Sequence, residues 1–356
     1  MILTHLRLKD FRSYGSLEID FDGGLNLILG DNAAGKTNLA EAIHYISLAR
    51  SWRSKDDGLL LKDGTPNAFI EADVKEGRLS RRIGIEIGRQ SKKITLNGKP
   101  VRRLSELSRV TNVISFSPSD VPLFVGSPGE RRTFLDVSLS KKSSDYFSLI
   151  SRYNRLLKER NAALKAYSPD RNVIDALTSQ MVATSEPLVR YRMMYVASLN
   201  SVLPDLLSKL RGEKTSCELI YRPFAKGDEE FKGRAEKAFL DALESDLYHK
   251  STSVGPHRED FSLKMNGKDI ATRGSQGENR MAVLALKLAP CLLVEEEDKM
   301  PICVLDDVTS ELDPSRVESL IGLLRGLGQV FVTATKLEIE GASIIDVAEN
   351  NAIRRK

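Results

Sequence analysis

Several things are scarce in this chain. Its 356 residues hold only three cysteines, Cys217, Cys291 and Cys303. An odd, widely spaced set cannot pair fully within the chain and has no metal-ligand spacing. Excess charge is small: 53 Lys/Arg against 49 Asp/Glu leave a net +4, too mild by itself to indicate nucleic acid. Long apolar runs are missing. The longest, Ala282 to Val294, contains Lys287 and Pro290 and falls short of the ~20 residues of a membrane span. The opening residues, Met1 to Arg7, have no signal-peptide core. These absences predict a reduced, cytoplasmic protein without a membrane segment. At 41% hydrophobic and 29% charged, the chain has enough apolar surface to offset its conformational entropy, which excludes disorder as its main state. The length suits two domains, or one with a large insertion. No internal repeat or low-complexity stretch is present.

Period-two alternation marks strands early in the chain. Leu6 and Leu8 alternate with polar residues, as do Leu17, Ile19 and Phe21. Leu25 to Leu29 is a short apolar strand. Phe69 to Val74, Ile83 to Ile87 and Ile94 to Leu96 read as further strands, and Asn97-Gly98 is a two-residue hairpin turn. Asn38 to Ala49 follows helix period, with Leu39, Ile43 and Ile46 on one face. The middle is helical, from Asp145 to Lys165 and again from about Val173 to Leu210, where Pro187 and Pro204 predict interruptions. The last hundred residues return to α/β. Phe261, Leu263 and Met265 alternate, Gln276 to Ala289 is helical, Pro301 to Leu305 is a buried strand, Pro314 opens a helix and Val330 to Val332 is a strand. The expected organisation is one discontinuous α/β domain, 1–140 with 251–356, and a mostly helical insertion, 141–250.

Gly30-Asp31-Asn32-Ala33-Ala34-Gly35-Lys36-Thr37 matches G-x-x-x-x-G-K-[ST] in full, between a strand and an amphipathic helix. Successive backbone N–H groups and a helix N-terminus make a cradle for polyphosphate oxygens. Lys36 places a positive charge on the β/γ-phosphates. The Thr37 hydroxyl can ligate Mg²⁺, which takes few protein ligands and keeps waters. The partner carboxylate should end a buried strand, and Ile302 to Asp307 fits. Asp306 would hold Mg²⁺ through water and Asp307 would orient or deprotonate the attacking water. The cofactors expected are therefore ATP and Mg²⁺.

The order of motifs resembles the ABC-type ATPases. Gly274-Ser275-Gln276-Gly277-Glu278 looks like their signature, and Ser310-Glu311-Leu312-Asp313 like their D-loop. Within that class the chain is similar to the RecF family of bacterial recombination and repair ATPases over essentially its whole length. The runs that carry this are Leu6 to Tyr14, Gly30 to Ile43, Ser51 to Ser54, Phe116 to Pro118, Gly126 to Asp136, Ser253 to Asp260, Gly274 to Ala289 and Leu305 to Asp313. The resemblance implies an α/β ABC-type P-loop head with a mostly helical inserted lobe. It implies a head-to-tail, ATP-dependent homodimer in which Ser275 and Gly277 of one subunit close on the nucleotide of the other. It further implies a DNA-associated switch with slow hydrolysis, working with RecO- and RecR-like proteins to load recombinase at gaps, and linked to replication restart and the SOS response. An ABC-type ATPase coupled to protein partners without DNA, as in phage defence, is the alternative. A transporter motor is disfavoured.

Size separates the chain from rod-bearing SMC relatives: the longer helix of the insertion would reach only ~55 Å at ~1.5 Å per residue. Three departures from the family pattern stand out. Ala33 takes the place of a glycine, Glu278 takes the place of an amide, and Thr333 to Thr335 stand where transporters carry a switch histidine. The first predicts weaker nucleotide binding, the second a perturbed contact across the dimer, and the third, with Asp307 in place of a glutamate, slow turnover.

Two basic runs are candidates for DNA contact. Residues 75–109 carry eleven Lys/Arg against three Asp/Glu, and residues 131–171 carry ten against four. The first reads equally as a phosphate-contacting surface, with Arg81, Arg82, Lys92 and Lys93, or as a solvated strand face. The second reads as an ordinary charged helix face. Arg53 matches a family arginine expected near phosphate or DNA. His257-Arg258 fits either a contact or a structural turn.

Overall fold

The computed structural model describes residues 1–102, 106, 107, 110–310 and 312–355. The chain divides into two compact units. One holds Met1–Val121, Asp205–Thr215 and Arg280–Lys356, and the other Pro122–Pro204 and Ser216–Asn279. The expected insertion limits, 140/141 and 250/251, fall inside the second unit. Arg131 shows one reason. Its guanidinium holds Asp260 at 2.7 and 3.0 Å and donates to the carbonyls of Leu123, Phe124 and Gly126. Flanking segments are thereby drawn in with the helices.

The first unit is built on two six-stranded sheets. One is antiparallel, with β2 (Tyr14–Asp20), β1 (Ile2–Phe11), β4 (Asn67–Glu76), β5 (Leu79–Gly88), β6 (Lys92–Leu96) and β7 (Lys99–Pro100) in that spatial order. Leu6, Leu8, Leu17, Ile19, Ile70, Ile83 and Ile85 all turn to its buried face. Asn97 and Gly98 sit at φ 50° and 76°, the left-handed pair that a tight hairpin needs.

The other sheet runs β15 (Asn351–Arg354), β14 (Ser343–Ala348), β3 (Leu25–Leu29), β13 (Val330–Ala334), β12 (Ile302–Leu305), β8 (Val113–Phe116). All its pairings are parallel except β14 with β15. Strands buried on both faces read as continuous apolar runs, which is why β12 and β13 were legible. Helix α1 (Lys36–Leu48) shares one apolar cluster with both sheets. Its Leu39, Ile43 and Ile46 join Leu6 and Ile70 of the first sheet and Ile28, Val304 and Phe331 of the second.

The second unit contains α2 (Pro128–Lys142), α3 (Ser144–Lys165), most of α4 (Arg171–Arg211), α5 (Phe231–His249), the short α6 (Ile270–Arg273) and the start of α7 (Gln276–Leu288). The prolines do not interrupt α4, which runs unbroken for 41 residues, about 60 Å. A helical proline costs ~3 kcal/mol, whereas burying one large apolar side chain returns ~1.5–3 kcal/mol. Met181, Val182, Leu188 and Val189 are buried around Pro187, as are Leu199, Leu203, Leu206 and Leu207 around Pro204. Burial therefore outweighs the two breaks, although Pro204 is where the units divide.

The middle is also not wholly helical. β9 (Cys217–Arg222) pairs antiparallel with β10 (Asp260–Met265), setting Leu219 against Leu263 and Tyr221 against Phe261. β11 (Lys268–Asp269) completes this small sheet. Among the described residues, no helix is long and apolar enough to cross a membrane.

Candidate nucleotide site

β3 lies between β13 and β14, and at its end the chain turns through Gly30 to Gly35 into α1. The loop is held on several sides. A Cβ at Gly30 would lie 2.1 Å from the Val347 carbonyl oxygen of β14. Gly35 stands at φ 113°, and a Cβ there would meet the Tyr14 hydroxyl at 3.0 Å and Asn350 Oδ1 at 3.3 Å. Tyr14 donates to the Gly35 carbonyl at 3.1 Å, and the Asn350 N–H donates to the Ala34 carbonyl at 3.2 Å. Ala33 does sit in the left-handed region, at φ 67°, so the position has the geometry a glycine would relieve. Asp31, Asn32 and Ala33 are exposed at the loop's tip.

Lys36 Nζ curls over this loop, donating to the carbonyls of Gly30 and Asp31 at 2.7 Å each. Partial burial lowers its pKa, against the opposing pull of Asp307, Asp306 and Asp31. Thr37 Oγ1 donates to Asp306 Oδ1 at 2.9 Å, so the two expected Mg²⁺ ligands are brought together. Asp306 is 4% exposed and burial pushes its pKa up, while hydroxyls from Thr333 and Thr37 pull it back down. Thr333 Oγ1 donates to Asp306 Oδ1 at 2.8 Å and accepts from the Asp307 N–H at 2.8 Å. Asp307 itself takes φ 50° and is exposed. Its carbonyl accepts from Arg280 at 2.7 Å. Hydroxyl and carboxylate in this pairing are hard oxygen donors that suit a magnesium ion retaining its waters. Among the described residues no group of three His/Cys/Asp/Glu could form a fuller metal cage.

Sequence reasoning missed Thr333, Tyr14 and the β14–β15 hairpin as parts of this site. Their signals were present only weakly: Thr333 was noted for the histidine it replaces, and the Glu349-Asn350 turn, at φ 49° and 60°, lacks glycine. Arg53 is placed here rather than with the sheet cations. It donates to Asn38 of α1 at 2.9 Å, approaches Glu41 at 3.7 Å and lowers the pKa of Asp306. Arg12 grips the fully buried Glu41 through two bonds of 2.9 Å.

The signature segment is built differently. Ser275 and Glu278 form a reciprocal capping box: the Ser275 N–H donates to Glu278 Oε2 at 2.9 Å, and the Glu278 N–H donates to Ser275 Oγ at 3.2 Å. Asn279 Nδ2 donates to the carbonyls of Ile270 and Ser275 at 3.2 and 3.1 Å. Gly274 is required by its own surroundings, with a Cβ landing 2.6 Å from the Ile270 carbonyl. A Cβ at Gly277 would meet nothing within 4 Å. In the D-loop, Asp313 caps α8 (Pro314–Leu324) by accepting from the Arg316 N–H at 3.1 Å, and Glu311 lies outside the described residues.

The sheet cations are dispersed. Arg82 pairs bidentately with Asp73 across the strands at 2.8 Å, and Lys93 with Glu86 at 3.3 Å, both on the face away from the core. Arg81 is bound to Glu76 at 2.6 Å, and Lys92 to Asp57 at 2.7 Å. On the outer face the rows read Asp20-His5-Asp73-Arg82, Glu18-Arg7-Glu71-Gly84 and Ser16-Lys9-Phe69-Glu86-Lys93. Opposite charges face each other across them, so the face is nearly neutral. His257 is a structural group. Burial holds its pKa down at about 4, with Nδ1 against the Tyr153 hydroxyl at 2.7 Å and Nε2 against the Thr252 carbonyl at 3.0 Å.

Residues 2–350 match the family model described as the RecF/RecN/SMC N terminal domain. A DNA replication and repair protein RecF of Clostridium acetobutylicum is 36% identical over 94% of this chain and 93% of its own length. That of Lactobacillus johnsonii is 34% identical over 95% and 93%. A solved structure described as the recombination mediator protein RecF-ATP in the RecFOR pathway superposes with a TM-score of 0.91 at 29% identity, covering 99% of both chains. An SmcHead structure at 16% identity and a TM-score of 0.62 shares the fold. The chain belongs to the RecF family of DNA replication and repair proteins.

Proposed function

We propose that this protein is an ATP-dependent DNA-binding switch of recombinational repair, with ATP and Mg²⁺ held at the loop Gly30 to Thr37. The observation that carries the reading is the convergence of Lys36, Thr37, Asp306 and Asp307 at the end of β3 and β12. Lys36 neutralises the β/γ-phosphates, and its present carbonyl partners are ones it can exchange. Backbone N–H groups of residues 31–35 orient the phosphate chain. Thr37 and Asp306 hold Mg²⁺, which supplies charge neutralisation at the phosphates. Asp307, exposed beside them, orients or deprotonates the attacking water. Arg53 lies near enough to add charge at the phosphates.

Ser275 and Gly277 complete the site of a second protomer. Ser275 Oγ accepts from Glu278 but keeps its own proton to donate, and Gly277 offers a backbone that another molecule can approach closely. The functional head is then 1–140 with 251–356, even though its signature segment packs in the other compact unit. Hydrolysis is slow, because Thr333 cannot transfer a proton as a histidine can. The nearly neutral outer face makes Arg82 and Lys93 minor contributors to DNA contact, and the ion pairs with Glu76 and Asp57 do the same for Arg81 and Lys92. RecO- and RecR-like proteins are the expected partners, in the cytoplasm.

The test is ATP turnover with and without DNA at low and high salt. Stimulation by DNA that fades as salt rises is expected. Equal rates throughout would favour an ATPase coupled to proteins alone. Ser275→Arg should leave ATP binding intact and abolish nucleotide-driven dimerisation; a normal dimer by ultracentrifugation refutes the composite site.

A further inference from the structure

We propose that the solvent face of α3 is the surface on which this protein carries duplex DNA, its cations lying along the phosphate backbone. The proposal rests on the DNA-binding reading above and says where that binding occurs. The face opposite the buried Tyr146, Tyr153, Leu156 and Leu164 presents Arg152, Arg155, Lys158 and Lys165, all exposed, with Glu159 the one acid on the row. Arg155 pairs loosely with Glu159 at 3.7 Å. Arg152, Lys158 and Lys165 have no ion pair among the described residues.

The neighbouring α5 carries more acid: its Lys232, Arg234 and Lys237 stand among Glu236, Asp241, Glu244 and Asp246, although Lys237 too has no ion pair among the described residues. On α5, Lys232 faces Glu236, and Arg234 is held by Asp228 and Glu230. On α4, Arg190 pairs with Glu186 and Arg171 with Glu244. Helix stability accounts for Lys165 alone, since a cation in the last turn gains ~0.3–1 kcal/mol from the helix dipole. Arg152 and Lys158 are mid-helix and gain nothing of that kind.

The row's length fits a duplex. Arg152 to Lys165 spans about 20 Å, against a phosphate rise of ~3.4 Å along one strand. No exposed aromatic lies between them, and Tyr167, exposed just past Lys165, is a single ring rather than the series of stacking surfaces that successive bases of a single strand use. The row is an electrostatic track without sequence readout, a reading that departs from the ordinary charged face expected of this run.

The experiment is fluorescence anisotropy of the full chain on a mixed-sequence duplex oligonucleotide, with a non-cleavable ATP analogue, from about 50 to about 300 mM salt. Arg152→Gln, Arg155→Gln, Lys158→Gln and Lys165→Gln are combined in one variant, since glutamine keeps helix propensity. Its melting temperature and DNA-free turnover should match the unmodified protein. Affinity should fall about tenfold or more, and the slope of log affinity on log salt should flatten by about 3–4. An Arg82→Gln/Lys93→Gln variant should change that slope by less than about 1. A quadruple variant that binds duplex with unchanged affinity and slope, while the unmodified protein binds it, overturns the row alone and leaves it to an acidic protein or to solvent. An unmodified protein that binds no duplex even at low salt overturns the row and the DNA-binding reading together.

Discussion

The loop Gly30 to Thr37 and the segment Gly274 to Glu278 are the two glycine-bearing turns expected to touch nucleotide, and they are built on opposite principles. In the first, neighbouring elements press on the chain at every glycine: β14 against Gly30, and Tyr14 and Asn350 against Gly35. In the second, Gly274 is fixed by the Ile270 carbonyl and side chain, and Gly277 borders open space. A glycine near a helix start that nothing in its own fold requires costs up to ~1 kcal/mol against alanine. The contrast teaches that the loop is held by its own chain, whereas nothing in this chain requires Gly277, and the proposed composite site gives that open position a use.

The strongest test of that contrast removes the charge on the finished side. Lys36→Ala should lower ATP affinity by at least about 100-fold, because a charge-assisted contact to phosphate is lost from the site. Isothermal titration reads this directly, and an unchanged affinity refutes the role of Lys36. The glycines give a matched pair. Gly30→Ala should lower the melting temperature by about 3 °C or more, since its Cβ meets backbone and cannot be accommodated by a side-chain shift. Gly277→Ala should leave stability equal or slightly higher, yet weaken nucleotide-driven dimerisation about tenfold. If Gly277→Ala dimerised normally, the two turns would no longer differ in kind.

Much of the first turn was legible because its chemistry is local. A strand, eight motif residues and a helix are contiguous, and β12 announces itself as an apolar run ending in Asp306-Asp307. The fold was legible for the same reason wherever period was clean, as in Leu6/Leu8 or Asn97-Gly98. What escaped was non-local. Thr333 and Asn350 reach the site only through the parallel order of β14, β3, β13 and β12, which no spacing encodes. The prolines of α4 misled because propensity is a weak prior beside burial. The basic run 75–109 read two ways because a strand sends successive side chains to opposite faces, and the pairing of Arg82 with Asp73 and of Lys93 with Glu86 shows only once the register is known.

Ala33 sharpens the comparison at smaller scale. Its left-handed backbone costs ~1–2 kcal/mol, but the conformation is already present in the folded chain. The strain therefore falls on folding rather than on binding. Ala33→Gly should raise the melting temperature by about 2 °C, as roughly 1 kcal/mol of strain is relieved. ATP affinity should stay within about twofold. A large gain in affinity would mean that the loop is not finished before nucleotide arrives.

The smallest effect is expected on the unfinished side. Glu278 closes the capping box on Ser275, and glutamine can make the same reciprocal bond. The carboxylate also puts negative charge beside the hydroxyl proposed to meet a partner's phosphates. Glu278→Gln keeps the cap and removes that charge. It should cost ~0.3–1 kcal/mol of stability, because an acid at a helix N-terminus is favourable. It should also tighten the nucleotide-driven dimer by roughly threefold to fivefold, most visibly at low salt where the repulsion is least screened. Sedimentation with a non-cleavable ATP analogue at two salt concentrations measures both the gain and its screening. A dimer constant unmoved at either salt would show that the signature meets its partner through Ser275 and the Gly277 backbone, with Glu278 confined to capping.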